Sequence, residues 1–330
     1  MKKITLLVIL AALCSSNCFA QDVALQGLIK ADGSSTVYPI TEAVAEEFIA
    51  LNSKVKVTVG ISGTGGGFKK FIAGETDISN ASRPIKATET EAAEKAGIKY
   101  LELPVAYDAL TIVINPKNTW AKSITVKELK KIWEPAAQGK ITTWKQVREE
   151  WPDTPLTLFG PGTDSGTFDY FTEAIVGKED SSRGDYTSSE DDNVLVQGVA
   201  RNVGALGFFG FSYYEENIDK LKALAVDDED PSNGDGAQLP TVENVEKGVY
   251  RPLARPVFVY FSAKSLERAE VSAFAKFFLE NGQQLVTDVG YIPLPKTIAE
   301  LASARFISRK LGSIYTNAGS NHNLEELLSK

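Results

Sequence analysis

The sequence predicts an α/β fold, with parallel or mixed sheets covered by helices. Short runs rich in β-branched and aromatic residues alternate with segments whose apolar residues recur three and four apart. That alternation is the mark of sheets with helices packed on them. Length is the second observation: about 310 residues beyond the leader are many for one domain and natural for two.

The leader comes first. Lys2 and Lys3 precede a short apolar core, Ile4 to Leu13, and small residues close the segment at Ala20. This is the pattern of an export signal and is too short for a membrane span. Cys14 and Cys18 follow Leu13 and Asn17 rather than the small residue that precedes a lipidated cysteine, so cleavage before Gln21 is expected. Cleavage removes both cysteines, so the mature chain relies on a buried core and not on disulfides. It also takes the formal net charge from -8 to -10. That balance argues against nucleic acid and anionic membrane surfaces as partners.

The strand-like runs are "VKVTVG" (Val55 to Gly60), "ALTIVI" (Ala109 to Ile114), "PLTLFG" (Pro155 to Gly160) and "PVFVYF" (Pro256 to Phe261). The helical segments are "ITEAVAEEFIAL", "GGFKKFIAG", "TVKELKKIW", "TFDYFTEAIV" and "VSAFAKFFLENG". Lys178 to Asn193 and Asp227 to Gly236 are dense in charge and read as exposed loops.

Three of the helices share one kind of beginning. In "ADGSSTVYPITEAVAEEF" a turn at Asp32-Gly33 runs into Ser34, Ser35 and Thr36, where N-caps belong. In "SGTGGGFKKF" (Ser62 to Phe71) three glycines run into a face marked by Phe68, Phe71 and Ile72. In "GPGTDSGTFDYFTEAIV" the face is Phe168, Phe171 and Ile175. A helix start presents N–H groups without internal partners and the positive end of the peptide dipoles. Glycine admits a ligand close to the backbone, and hydroxyls add donors, so these residues suit a small anion. One such start is ordinarily a cap; three in one exported chain point to binding. In "DISNASRPI" (Asp77 to Ile85), Arg83 offers the planar fork that fits a tetrahedral oxyanion.

Together "ADGSSTVYPITEAVAEEF", "GISGTGGGFKKFIAGETDISNASRPI", "GPGTDSGTFDYF" and "VGALGFFGFSYY" resemble the periplasmic phosphate-binding protein of the high-affinity phosphate ABC transporter, the PstS type, over nearly the whole mature chain. The resemblance implies a two-lobed periplasmic binding protein of type II, with mixed sheets flanked by helices and two crossings between lobes. It places residues 21–112 and 257–330 in one lobe and 113–256 in the other. The lobes would close on phosphate and the closed form would dock on a membrane permease. Ser35, Thr36 and the Val37 N–H would serve the anion from the first start. The glycine run would add a hydroxyl from Ser62 or Thr64. Ser165, Gly166 and Thr167 match the family's Ser-Gly-Thr start. Two departures stand out. The better-known branch has an aspartate where this chain has Ser82, and an arginine shortly before Ser-Gly-Thr where this chain has "GPGTD". The guanidinium is therefore expected at Arg83. Asp164 is the first choice for the carboxylate that accepts the phosphate proton and rejects sulfate, with Asp77 and Asp32 behind it.

Other classes fit less well. An enzyme would have to use His322, the one histidine, which lies in a polar C-terminal stretch. "GISGT" and "TDSGT" both break the G-x-S-x-G elbow, and the glycine run is not a phosphate-loop nucleotide motif. No H-E-x-x-H or cysteine cluster suggests a metal, and no cofactor is expected. Sulfate or molybdate binding, or an extracellular adhesion or matrix role on the same fold, are the alternatives. The aromatics of "GALGFFGFSYY" read as core and hinge packing. The expected form is a periplasmic monomer.

Overall fold

The computed structural model describes residues 25–163, 165–189, 191–234, 236–315 and 324–329. The leader, Asp164 and His322 lie outside the described residues. β1 (Gly27–Gly33) leads into α1 (Tyr38–Leu51), β2 (Val55–Ile61) into α2 (Gly63–Ile72), and β3 (Ile78–Ala81) into α3 (Ala87–Lys95). The long β4 (Tyr100–Ile114) then carries the chain into a second half. That half holds β5 (Ser123–Thr125), α4 (Val126–Trp133), α5 (Trp144–Val147), β6 (Thr157–Gly160) and α6 (Gly166–Phe171). It continues with β7 (Thr187–Ser188), α7 (Asp192–Arg201), β8 (Ala205–Gly210), α8 (Phe211–Glu215), β9 (Lys222–Ala223), β10 (Ala225–Asp227) and α9 (Val242–Glu246). β11 (Ala254–Ser262) returns to the first half, where α10 (Ala269–Asp288), α11 (Lys296–Ile307) and α12 (Leu324–Ser329) follow.

Among the described residues, nine strands form one mixed sheet in the order β2-β1-β3-β11-β4-β8-β6-β7, with β9 beside β4. β1 lies parallel to β2 and β3, and β11 antiparallel to β3 and β4. The two halves share this sheet because β4 changes partner along its length. It pairs with β11 as far as Ala109 and with β8 from Leu110 onward. All of β4 is buried, which explains the near-continuous apolar run of its second part.

Packing follows the apolar faces. Ile40, Val44 and Phe48 of α1 meet Phe274 and Phe278 of α10 over the sheet, with the Phe48 and Phe274 rings edge to face at 5.3 Å. In the second half Trp133, Phe171 and Phe208 form one aromatic cluster. The stretch from Lys178 to Asn193 is not simply an exposed loop. Its Arg183 is buried, donates to the Ile132 and Ile141 carbonyls, and pairs with Asp185. The fork satisfies carbonyls that the neighbouring turns leave open, so this polar segment is tied to the core.

Candidate functional site

The first helix start differs from an ordinary cap. Val37 stands at the N-cap of α1, with no side-chain cap bond. Ser35 and Thr36 therefore remain available, and both reach across to the second half. Ser35 Oγ donates to Asp169 Oδ2 at 3.3 Å, and Thr36 Oγ1 donates to the Gly166 carbonyl at 3.4 Å. Gly33 makes the approach possible: its φ is +143°, and a Cβ there would strike the Asn80 carbonyl.

The glycine run forms the first turns of α2 rather than a loop before it. A Cβ on Gly67 would lie 2.5 Å from Gly33 Cα, so glycine lets α2 press against the end of β1. The two hydroxyls that the spacing left open are separated here. Ser62 Oγ donates to Asp32, which also takes Lys70 Nζ at 2.7 Å. Thr64 Oγ1 sits 3.0 Å from Ser82 Oγ and accepts from the Ser82 N–H at 3.1 Å. Thr64 and Ser82 thus form one hydroxyl pair, while Ser62 is tied to Asp32 at the end of β1.

The third start, at α6, is capped by Ser165, whose Oγ accepts from the Thr167 N–H at 3.2 Å. Gly166 touches the first start: a Cβ there would lie 2.8 Å from Thr36 N and 2.9 Å from Ser35 Oγ. The starts of α1 and α6, from opposite halves, therefore meet directly, and α2 adjoins them through Gly33 and Gly67.

Arg83 follows Ser82 but its fork is engaged. Nη1 and Nη2 each donate to a Glu89 oxygen at 2.8 Å, and the guanidinium lies over Phe68. It lines a cleft of about 390 Å³ with Ser82, Tyr170, Glu173 and Arg255. Arg255 lies over the Tyr170 ring at 3.5 Å, between Asp108 and Glu173 at 3.7 and 3.6 Å. Burial pushes the Asp108 carboxyl up to about 6, against the pull of Arg255.

Of the carboxylates considered as proton acceptors, Asp32 is held by Ser62 and Lys70. Asp77 is at the other end of β3, receiving the Lys30 N–H, Ser265 Oγ and Arg268. The structure adds Asp169, which the motif reading passed over. Burial, with the nearby charges of Glu179 and Asp180, pushes its carboxyl up to about 6. A signal was present: Asp169 is four residues past Ser165, on the same helix face.

The PBP superfamily domain matches residues 20–281. Protein SphX of Synechococcus elongatus is 54% identical over 316 residues, 96% of this chain and 92% of its own length. The phosphate-binding protein PstS of Staphylococcus epidermidis is 41% identical over 273 residues, 82% of this chain and 80% of the relative. Among solved structures, a possible phosphate binding protein from Planctomyces limnophilus is 50% identical, with a TM-score of 0.82 over 86% of this chain and 99% of that one. A phosphate ABC transporter substrate-binding protein from Clostridium perfringens, solved with bound phosphate, is 28% identical, with a TM-score of 0.54 over 82% of this chain and 100% of its own.

Proposed function

This chain belongs to the PBP superfamily and, within it, to the PstS phosphate-binding proteins, and on that premise we propose that it captures inorganic phosphate between two lobes and delivers it to an ABC permease for import. The observation that carries the reading is the junction of helix starts. Ser35 and Thr36 from one half touch Gly166 from the other, with Thr64 and Ser82 on the adjoining α2 and β3 ends.

Phosphate would take the Val37 N–H with the Ser35 and Thr36 hydroxyls from the first lobe, residues 21–112 with 257–330. From residues 113–256 it would take Ser165, Gly166 and Thr167. Thr64 and Ser82 supply hydroxyls, and Arg83 supplies charge from beside them. Each charge-assisted bond contributes roughly 1.5–3 kcal/mol net, so a few converging bonds reach the about 8 kcal/mol of micromolar binding. No net positive charge is needed, because the donors are backbone amides and hydroxyls. A carboxylate at the site, Asp164 or Asp169, accepts the phosphate proton and repels the unprotonated sulfate. The protein acts by binding and release, without chemistry on its ligand. It works outside the cytoplasm as a monomer after loss of residues 1–20; among the described residues no helix is long and apolar enough to cross a membrane.

Calorimetric titration of the refolded, ligand-stripped chain tests the proposal. Phosphate should bind at micromolar concentration or tighter, and excess sulfate should not displace it. Sulfate binding of equal strength, or a folded protein that takes neither anion, would overturn it.

A further inference from the structure

The loop that carries Ser82 and Arg83 leaves the sheet at the end of β3, Ala81, so its backbone donors lose their ladder partners. Pro84 has no N–H, and the buried donors on either side turn to side chains from other elements. The Ser82 N–H goes to Thr64 Oγ1, and the Ile85 N–H goes to Tyr260 Oη at 2.9 Å. Tyr260, on β11, is fully buried. Its hydroxyl in turn donates to Glu102 Oε2 at 2.7 Å. Glu102 Oε1 accepts from the Ile314 N–H at 2.8 Å, which fastens the C-terminal segment to the same carboxylate. The Tyr260 ring also meets the edge of Phe68 at 4.8 Å, beneath the Arg83 guanidinium.

A carboxylate buried in the middle of a sheet is unfavourable unless its oxygens are fully bonded, and an apolar pair of the same shape would pack there at less cost. Here both oxygens are bonded, and what they hold is not the core itself but two irregular segments at its margin. We infer that Tyr260, oriented by Glu102, is a positioning residue for the oxyanion site, fixing the loop from Ser82 to Ile85 against α2 so that Ser82 and Arg83 face the cleft. This rests on the reading of that cleft as the phosphate site.

Direction matters in this relay. An ionised Glu102 only accepts, so Tyr260 donates to it and turns its lone pair to the Ile85 N–H. A protonated Glu102, or a glutamine amide, can donate to Tyr260 and compete with Ile85 for that lone pair. Burial raises the Glu102 carboxyl above its ordinary range, opposed by the bonds from Tyr260, Ile314 and Ser313 and by the charge of Arg305. The titratable groups facing it are Tyr260 from β11, Arg305 from α11, Tyr100 from its own strand and Tyr315 from the C-terminal segment.

The test compares the full mature chain with Tyr260→Phe and Glu102→Gln, using inorganic phosphate in calorimetry and amide hydrogen exchange of the peptide spanning residues 82–86. Tyr260→Phe should weaken phosphate binding about five- to tenfold, the worth of one net hydrogen bond, and accelerate exchange in the loop without ligand. Glu102→Gln should weaken it in the same direction. The ratio of its dissociation constant to that of the wild type should fall toward one as pH is lowered and the wild-type carboxyl takes up its proton, because only the wild type has a titrating group at this position. Phosphate's own ionisation cancels in that ratio. A merely structural role leaves the ratio flat and the Tyr260→Phe affinity unchanged, and either result overturns the inference. Should Tyr260→Phe fail to fold, the Glu102→Gln ratio decides. Should the wild type take up no phosphate, the functional reading falls, and loop exchange decides the relay alone: acceleration upholds it and unchanged exchange overturns it.

Discussion

Replacing Gly166 with alanine perturbs the point where the two halves of the site touch. The new Cβ would lie 2.8 Å from Thr36 N and 2.9 Å from Ser35 Oγ. The first of these is backbone, so no side-chain rotation relieves the contact. Non-bonded carbon contacts settle near 3.5 Å or beyond, so the α1 and α6 starts must part by roughly half an ångström. The hydrogen bonds that converge on one small anion then cannot all keep their length. Losing one charge-assisted bond removes roughly 1.5–3 kcal/mol, which is about 10- to 100-fold in affinity. The forced separation falls between the two halves and not inside either core, so each half should stay folded. Calorimetry with phosphate, beside a thermal melt, separates the two effects. The expected result is a weaker dissociation constant with a cooperative melt retained. Affinity within twofold of the wild type would refute the argument that the anion sits where these helix starts meet.

Thr64→Val should weaken phosphate binding more than Ser62→Ala does, because Thr64 bonds Ser82 at the site while Ser62 is held by Asp32; the same calorimetry compares them. Arg83→Ala should lower phosphate affinity at least tenfold with the fold intact, and unchanged affinity would mean that the fork serves Glu89 alone. Asp169→Asn tests the raised carboxyl. With a folded value about 6 against an ordinary value about 3.9, the folded state binds more protons between these limits, so wild-type stability falls as pH rises through that window. The asparagine variant should therefore melt higher than the wild type at pH 8, and the gap should close below about pH 4.

Much of the fold was legible because its cause is local. Val55 to Gly60, Ala109 to Ile114 and Pro256 to Phe261 all lie in strands, and the three-and-four spacing of α1, α4 and α10 marks helices. The first and third helix starts were visible as motifs, and their meeting at Gly166 gives those motifs a shared place. What was not legible depends on long-range pairing. Asp32 holding Ser62, and Glu102 receiving Tyr260 and Ile314, join residues 30, 158 and 212 positions apart, and no periodicity encodes them. The fork of Arg83 on Glu89 is closer in sequence, but a lone arginine in a loop gives no sign of which anion it faces. Arg183 was hidden by its surroundings, since a charge-dense stretch reads as solvated even where one guanidinium turns inward.

The account turns on where the anion sits, and a crystal structure of the mature chain with phosphate tests this most directly. It should show tetrahedral density within about 3 Å of the Thr36 and Thr64 hydroxyls and of the donors at Ser165 to Thr167. Phosphate bound elsewhere on a folded chain, with those helix starts bonded only to each other, would contradict it.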